Sequence, residues 1–527
     1  MDANYKIFLR GPLRPLRLIA IAAALCTAAV CAADKKLNVL FIVSDDLNCS
    51  LGCYGDKITQ SPNIDRLAAR GVRFDRAYCN YPVCNASRVS FLSGRRPDTT
   101  KVFGNGTNPR VALGADFKFM PEYFHDHGYF TASIGKISHP THVSSIKWDV
   151  QSDAQRGQDE GDEERPAAKA KGKADTKAKL DAESKLKRRA AKAAKADAEA
   201  GAGGDVPFGW QATGNDDADE PDGITARRVV QLLEQHKDGP FFIAAGFHKP
   251  HVPHTAPKKY FDLYPAEKMP LPQEPEGHAK YIPKIANPAK YYPDLKPEQD
   301  RAIIQHYHAA TTFMDAQVGL LLDALDRLKL WDNTVVVFIG DHGWHLGEHH
   351  GFWAKVSLME ESARAPLIIY APPKASGGRE APGNSASAKT QSNREADASR
   401  SPDTVASRSP MVCPRVAEFV DVYPTITELC GLPKPAGVEG TSLAPLLDDP
   451  NRSWKKAAFT VVTRPGGLGR AVRTETHTFI LWPDGSEQLY DHSRDPKEYD
   501  NLALDTRVKE ITNELRQLLK SGPPAAK

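Results

Sequence analysis

Residues 37–46 read LNVLFIVSDD: an apolar run from Leu37 to Val43, then an abrupt change to Ser44, Asp45 and Asp46. A run this short is the pattern of a strand buried on both faces that delivers polar residues at its carboxyl end. Residues 334–339 (TVVVFI) repeat it and end in Gly340, Asp341 and His342, and residues 241–246 (FFIAAG) and 366–370 (PLIIY) have the same form. Helical patterns lie between them, at 63–70 and over 300–328, where apolar residues recur up to Leu320, Leu321, Leu322 and Leu325. Alternating strands and helices predict an α/β fold with a largely parallel sheet covered by helices. Ligands of such sheets gather at the carboxyl ends of strands, which brings Asp45, Asp46, Asp341 and His342 under one consideration. Three carboxylates meeting there repel unless a cation neutralises them, and hard oxygen donors suit calcium or magnesium better than zinc. Taken alone, either pair serves equally as a helix cap or a turn.

The chain has 527 residues, and 69 Lys and Arg against 66 Asp and Glu leave a net charge of +3, so no global charge bias points to nucleic acid. Hydrophobic residues at 41% and charged ones at 26% exclude a wholly disordered chain and a multi-span membrane protein. Lys6, Arg10, Arg14 and Arg17 precede an apolar run over 18–33 broken only by Thr27, with small residues Cys31, Ala32 and Ala33 at its end. That reads as an export signal, residues 1–33, too short for a comfortable span. The expected compartment is periplasmic, extracellular or lysosome-like, with no stable membrane insertion after removal. Of eight cysteines, Cys26 and Cys31 fall in the signal, and the six left are too few for a disulfide scaffold. Cys49 and Cys53 lack a second pair that would complete a zinc site, and Cys413 with Cys430 is a candidate disulfide.

Residues 34–452 are expected to form the catalytic domain. Two stretches inside it, 153–204 and 374–409, are low in large apolar residues and read as solvated insertions. The Lys-rich first insertion carries interspersed acids and no aromatic residue to stack on a base, which argues against nucleic acid. Residues 453–527 switch to shorter runs such as 459–463 and 479–482 and end in a polar helix over 507–520, the composition of a small antiparallel sheet with one helix.

Cys84, Asn85, Ala86, Ser87 and Arg88, followed by Leu92, Ser93 and Gly94, resemble the signature of the type I sulfatases: Cys or Ser, any residue, Pro or Ala, Ser, Arg, then Leu and a Thr/Ser-Gly pair. Residues 128–139 (GYFTASIGKISH) resemble the second signature, with Gly135, Lys136 and His139 in place and Ser138 where many relatives have an aromatic residue. Residues 246–254 (GFHKPHVPH), and Trp353, Ala354 and Lys355, resemble the iduronate 2-sulfatase branch. Leu489, Tyr490, Asp491, Asp495, Pro496, Glu498 and Asn501 resemble the family's C-terminal pattern.

The resemblance implies an alkaline-phosphatase-like fold, a large mixed sheet flanked by helices with a smaller C-terminal antiparallel sheet plus helix. It implies that Cys84 becomes a formylglycine, made by a maturation enzyme, whose hydrate attacks sulfur with one hydroxyl and expels sulfate by using the other. Asp45, Asp46, Cys84, Asp341 and His342 would hold one calcium ion. Arg88 and Lys136 would hold the hydrate, Lys136, His248 and Lys355 would meet the sulfate ester, and His139 and Asp341 would take protons. His251, His254, His345, His349 and His350 either line the pocket or sit in exposed loops. The expected substrate is a sulfated glycan, specifically a 2-O-sulfated uronic acid. The alternatives are a phosphatase or phosphonate monoester hydrolase of the same superfamily, and an unmatured, non-catalytic glycan-binding protein whose Cys84 stays a thiol.

Overall fold

β1 (Asn38–Asp45) is buried at every residue, as its apolar run requires. In this computed structural model, which describes residues 36–153, 207–373 and 411–523, β1 lies inside an eight-stranded sheet. The other strands are β2 (Val72–Tyr78), β3 (Phe130–Gly135), β4 (Val150–Ser152), β5 (Phe241–Pro250), β6 (Thr334–Gly340), β7 (Leu367–Tyr370) and β8 (Met411–Glu418). Their order is β8-β2-β7-β6-β1-β5-β3-β4. β7 runs antiparallel to both neighbours and the remaining pairs are parallel, so the sheet is mixed rather than uniformly parallel.

Alternation along β1 sends Val39, Phe41 and Val43 to one side and Leu40 and Ile42 to the other, because successive side chains of a strand point to opposite faces. The first side is covered by α2 (Cys84–Ser93), α3 (Met120–Asp126) and α6 (Val422–Leu429), through Phe91, Phe124 and Ile426. The second is covered by α1 (Pro62–Arg70), α4 (Pro221–His236) and the long α5 (Pro297–Arg327), through Leu67, Leu232 and Leu321. Each such side chain fully buried stabilises the fold by roughly 1.5–3 kcal/mol, and the two clusters clamp the sheet between helical layers.

A second sheet, β9 (Ala458–Arg464), β10 (Gly467–Arg473), β11 (His477–Leu481) and β12 (Glu487–Asp491), is antiparallel throughout. α7 (Lys509–Ser521) packs on it through Leu515 and Leu519. The expected signal at 1–33, and the expected insertions apart from Asp153, lie outside the described residues. No helix among the described residues is long and apolar enough to cross a membrane. Cys413 and Cys430 are both free, which corrects the expected disulfide: their sulfurs lie against different carbonyls, Pro450 O at 3.5 Å and Leu37 O at 3.7 Å.

Candidate active site

Parallel strands end on the same side, so β1, β3, β5 and β6 deliver the residues that follow them to one edge of the sheet. Register makes this concrete: Ser44 pairs with Gly340, and Gly135 with Gly246. A Cβ on Gly246 would stand 2.3 Å from the Lys136 carbonyl carbon, so glycine is what lets the end of β3 come this close. Asp46 leaves β1 with φ 63°, in the left-handed region, and is fixed there from two sides. Its amide donates to Asp341 Oδ1 (3.0 Å), and its carbonyl accepts from the Tyr307 hydroxyl of α5 (2.9 Å).

Cys84 opens α2 and is 1% exposed. Its sulfur lies 4.0 Å from Asp46 Oδ1 and 3.0 Å from Lys355 Nζ. Arg88, one turn along the same helix, donates Nε to Asp341 Oδ2 (3.0 Å) and Nη2 to Asp45 Oδ1 (3.2 Å). Lys136 Nζ meets Asp45 Oδ2, and Lys355 Nζ meets Asp46 Oδ1. The structure thus brings Asp45, Asp46, Cys84, Arg88, Lys136, Asp341, His342 and Lys355 together. His139 stands at the edge, with Nδ1 on Thr141 Oγ1 at 2.8 Å. His248 faces elsewhere: Nε2 lies 2.9 Å from Asp153 Oδ1. The histidine of that stretch that faces the carboxylates is His251, with Nε2 3.7 Å from Asp46 Oδ2.

Three residues not singled out as candidate site residues from the sequence set that arrangement. Asp222 accepts the amides of His248 (2.8 Å) and Lys249 (2.9 Å), and buried Lys249 donates to the carbonyls of His251 (3.2 Å) and Pro253 (2.7 Å). Tyr307 holds Asp46 and also accepts the Asn48 amide (2.9 Å). Their partners are backbone groups, which no residue pattern encodes. His254 is buried beside Tyr307 and Trp344, while His345 and His349 turn toward Glu361.

Burial opposes the charge of Asp45, yet the charges of Lys136 and Arg88 hold its carboxyl well below the ordinary range. Asp46 is pushed up to about 6 by burial, against the pull of Lys355, and Asp341 to about 8 by burial and the neighbouring Asp45 charge. Burial, with Asp45 adding to it, also raises the Cys84 thiol. Burial and then Lys136 push His139 down to about 3 and His251 well below its usual value, while burial and Lys355 do the same to His342. All three imidazoles are therefore neutral near pH 7.

The donors fit a cation. One ligand atom from each of Asp45, Asp46, Cys84 and His342 lies within 4.8 Å of the others. Asp46 Oδ2 and His342 Nε2 are buried with no hydrogen-bond partner, the condition that a metal relieves and an apolar core does not tolerate. Mostly oxygen donors with a neutral imidazole suit a divalent ion.

Known proteins resemble this chain over most of its length. The family model described as Sulfatase matches residues 37–431, and one described as N-sulphoglucosamine sulphohydrolase, C-terminal, matches 400–522. The chain is 36% identical over 430 residues to iduronate 2-sulfatase of Mus musculus, covering 76% of this chain and 70% of the relative. A protein solved in complex with its substrate D-glucosamine-2-N,6-O-disulfate superposes with a TM-score of 0.68 at 20% identity, over 92% of this chain and 97% of the other. A phosphonate monoester hydrolase of Agrobacterium radiobacter superposes with a TM-score of 0.67 at 19% identity, over 92% and 95%. At such identities the two structures speak for the fold.

Proposed function

The chain belongs to the type I sulfatases, near their iduronate 2-sulfatase branch, and is a sulfuric ester hydrolase; from that premise we propose that it removes the 2-O-sulfate of a uronic acid at the end of a sulfated glycan. The observation that carries the proposal is the convergence of Cys84 with Asp45, Asp46 and His342 beside Arg88, Lys136 and Lys355. Burial keeps Cys84 a protonated thiol, a poor nucleophile, so in this reading it is oxidised by a formylglycine-generating maturation enzyme. Formylglycine and one calcium ion supply, respectively, a hydrated aldehyde as nucleophile and positive charge against the ester oxygens. Asp45, Asp46, His342, Asp341 and the side chain at position 84 would hold the ion.

The chain's own groups do the rest. Asp45, Asp46 and Asp341 are matched by Arg88, Lys136 and Lys355, so one added divalent ion leaves the pocket positive, the sign an anionic ester requires. Arg88, Lys136 and Lys355 are held in place before substrate arrives, and such fixed charge favours the negative charge that grows on the transferring group. Lys355 is kept protonated by Asp46 against the cost of burial, and is placed to give the leaving oxygen a proton or a counter-charge. His251 takes the position given to His248 on sequence grounds. The Val252 carbonyl 2.5 Å from its Nδ1 fixes the proton there and leaves Nε2 as an acceptor aimed at the site. Neutral His139 serves as a proton acceptor at the edge. Residues 1–33 act as an export signal, and residues 453–527 close one side of the cleft formed by 34–452.

Protein produced with its maturation enzyme tests this by peptide mass across Cys84 and by sulfate release. A residue mass about 18 Da below cysteine, or its return as the hydrate, is expected, with release from a 2-O-sulfated uronate disaccharide that Cys84→Ala abolishes. An unmodified thiol in active protein overturns the formylglycine. Faster turnover of a 6-O-sulfated glucosamine overturns the sugar assignment, and faster turnover of a phosphonate monoester favours the alternative activity.

A further inference from the structure

After His342 the chain makes a detour before it delivers Lys355, and the detour closes over a second group of buried donors. His345 Nδ1 lies 3.7 Å from Glu348 Oε2 and 4.0 Å from Glu361 Oε2. His349 Nε2 lies 3.1 Å from that same Glu361 oxygen. One donor atom from each of His345, His349 and Glu361 falls within 4.8 Å of the other two. Neighbouring donors of a tetrahedral ion with bonds of about 2.0–2.2 Å stand about 3.3–3.6 Å apart, and the two separations to Glu361, 4.0 Å and 3.1 Å, bracket that value. His345 is 0% exposed, and its Nδ1, aimed at both carboxylates, has no hydrogen bond. Glu361 Oε1 is likewise buried without one.

The surroundings suit a bound ion. His345 Nε2 lies 2.7 Å from Ser357 Oγ, the outer contact that typically orients a metal-bound imidazole. Glu361 brings the carboxylate, with Lys497 Nζ 4.0 Å from its Oε1, while Glu348 Oε2 accepts the Leu346 amide (2.5 Å) and holds the turn. Two imidazoles in the set disfavour calcium and favour zinc or a similar transition metal.

We propose that His345, His349 and Glu361 form a second, structural metal site, with water completing the coordination, and that it takes a divalent transition ion of the zinc class. Its place explains what it does. His345 pairs with Ala354 and Leu346 with Trp353, so an ion held by this turn fixes the short ribbon from which Lys355 projects. His349, Ala354 and Val356 have φ of 56°, 65° and 71°, conformations that need such restraint.

The test uses full-length protein stripped of metal, then given Zn2+ or Co2+ with calcium in excess to saturate the first site. Expected are one equivalent bound, the intense visible spectrum of tetrahedral Co2+, and a higher melting temperature with Zn2+. Ser357→Ala should weaken Zn2+ about tenfold or more, Glu361→Gln should abolish the spectrum, and Asp46→Asn should leave it intact. Because the readout is metal content and spectrum, it stands whether or not the sulfate-ester reading survives. Wild-type protein that binds no Zn2+ and gives no tetrahedral Co2+ spectrum overturns the site whatever the variants do. Loss of the spectrum in Asp46→Asn with retention in Glu361→Gln overturns it as well.

Discussion

Two of the buried charge clusters among the described residues, those around Glu418 and Asp46, differ in completeness. Around Glu418, Oε1 accepts from Arg96 Nε (2.9 Å) and Asn80 Nδ2 (2.9 Å), and Oε2 from Arg96 Nη2 (2.6 Å) and Lys455 Nζ (2.9 Å). Asp421 beside it accepts the Thr441 amide on one oxygen (2.8 Å) and the Glu418 amide on the other (2.7 Å). Around Asp46, one carboxylate oxygen and the facing His342 nitrogen have no hydrogen bond at all. Both clusters are out of water, so burial and charge alone do not distinguish a joint from an active site. Unmet polar capacity does: the first cluster has spent its donors and acceptors on itself, and the second has kept some for ligands.

The sharpest way to break the comparison is to remove a charge from each. Replacing Lys136 by Ala should cost about 100-fold or more in turnover while lowering the melting temperature less than the Glu418 replacement does, because Asp45 keeps Arg88 as a partner, read by steady-state sulfate release beside calorimetry. Replacing Glu418 by Ala should do the opposite. It strands Arg96 and Lys455, a loss of about 3–5 kcal/mol, with turnover per folded molecule retained; a stable variant with lost activity would reverse the assignment of the two clusters.

Calcium addition probes the same contrast more gently. At a hundredfold excess over its dissociation constant the ion should stabilise metal-free protein by about 2.7 kcal/mol, and Asp46→Asn should be nearly indifferent; equal stabilisation of both would move the ion elsewhere. The smallest effect is the pH dependence of Glu418. Burial acts against its charge, but Lys455 and Arg96 hold its carboxyl at about 2 against an ordinary 4.5. A depressed folded value contributes stability in full above 4.5 and loses it as pH falls toward 2, so between pH 5 and 4 the loss is under about 1 kcal/mol. Urea denaturation across that interval should show a shallower slope in Glu418→Gln.

The short apolar runs announced β1, β5, β6 and β7 within a few residues, because strands buried on both faces leave a sequence no alternation to hide in. The direction of β7 was not legible, since the same residues pack equally well in either sense. Cys84, Arg88 and Lys136 were legible through motif spacing, and the geometry joins them. The histidine facing the site was not. Residues 248, 251 and 254 are all histidine, and a register shift between Ser44 and Asp45, where β1 pairs with β5, decides which one turns inward. Tyr307 lies inside the helical pattern over 300–328 with nothing in the sequence to single it out, and only its partners reveal that it anchors Asp46.

The closure of the sheet edge over Cys84 sets an order of events. Under the proposed formylglycine, an enzyme that oxidises this sulfur could not reach it once α2 is packed on the face of the sheet, where Cys84 is 1% exposed, so the modification would have to be finished while the chain is still open. The catalytic quality of any batch would then be decided by a race during synthesis. A host that folds the protein quickly but modifies it slowly would yield abundant, well-folded and silent molecules, and no later treatment of the folded product would repair them.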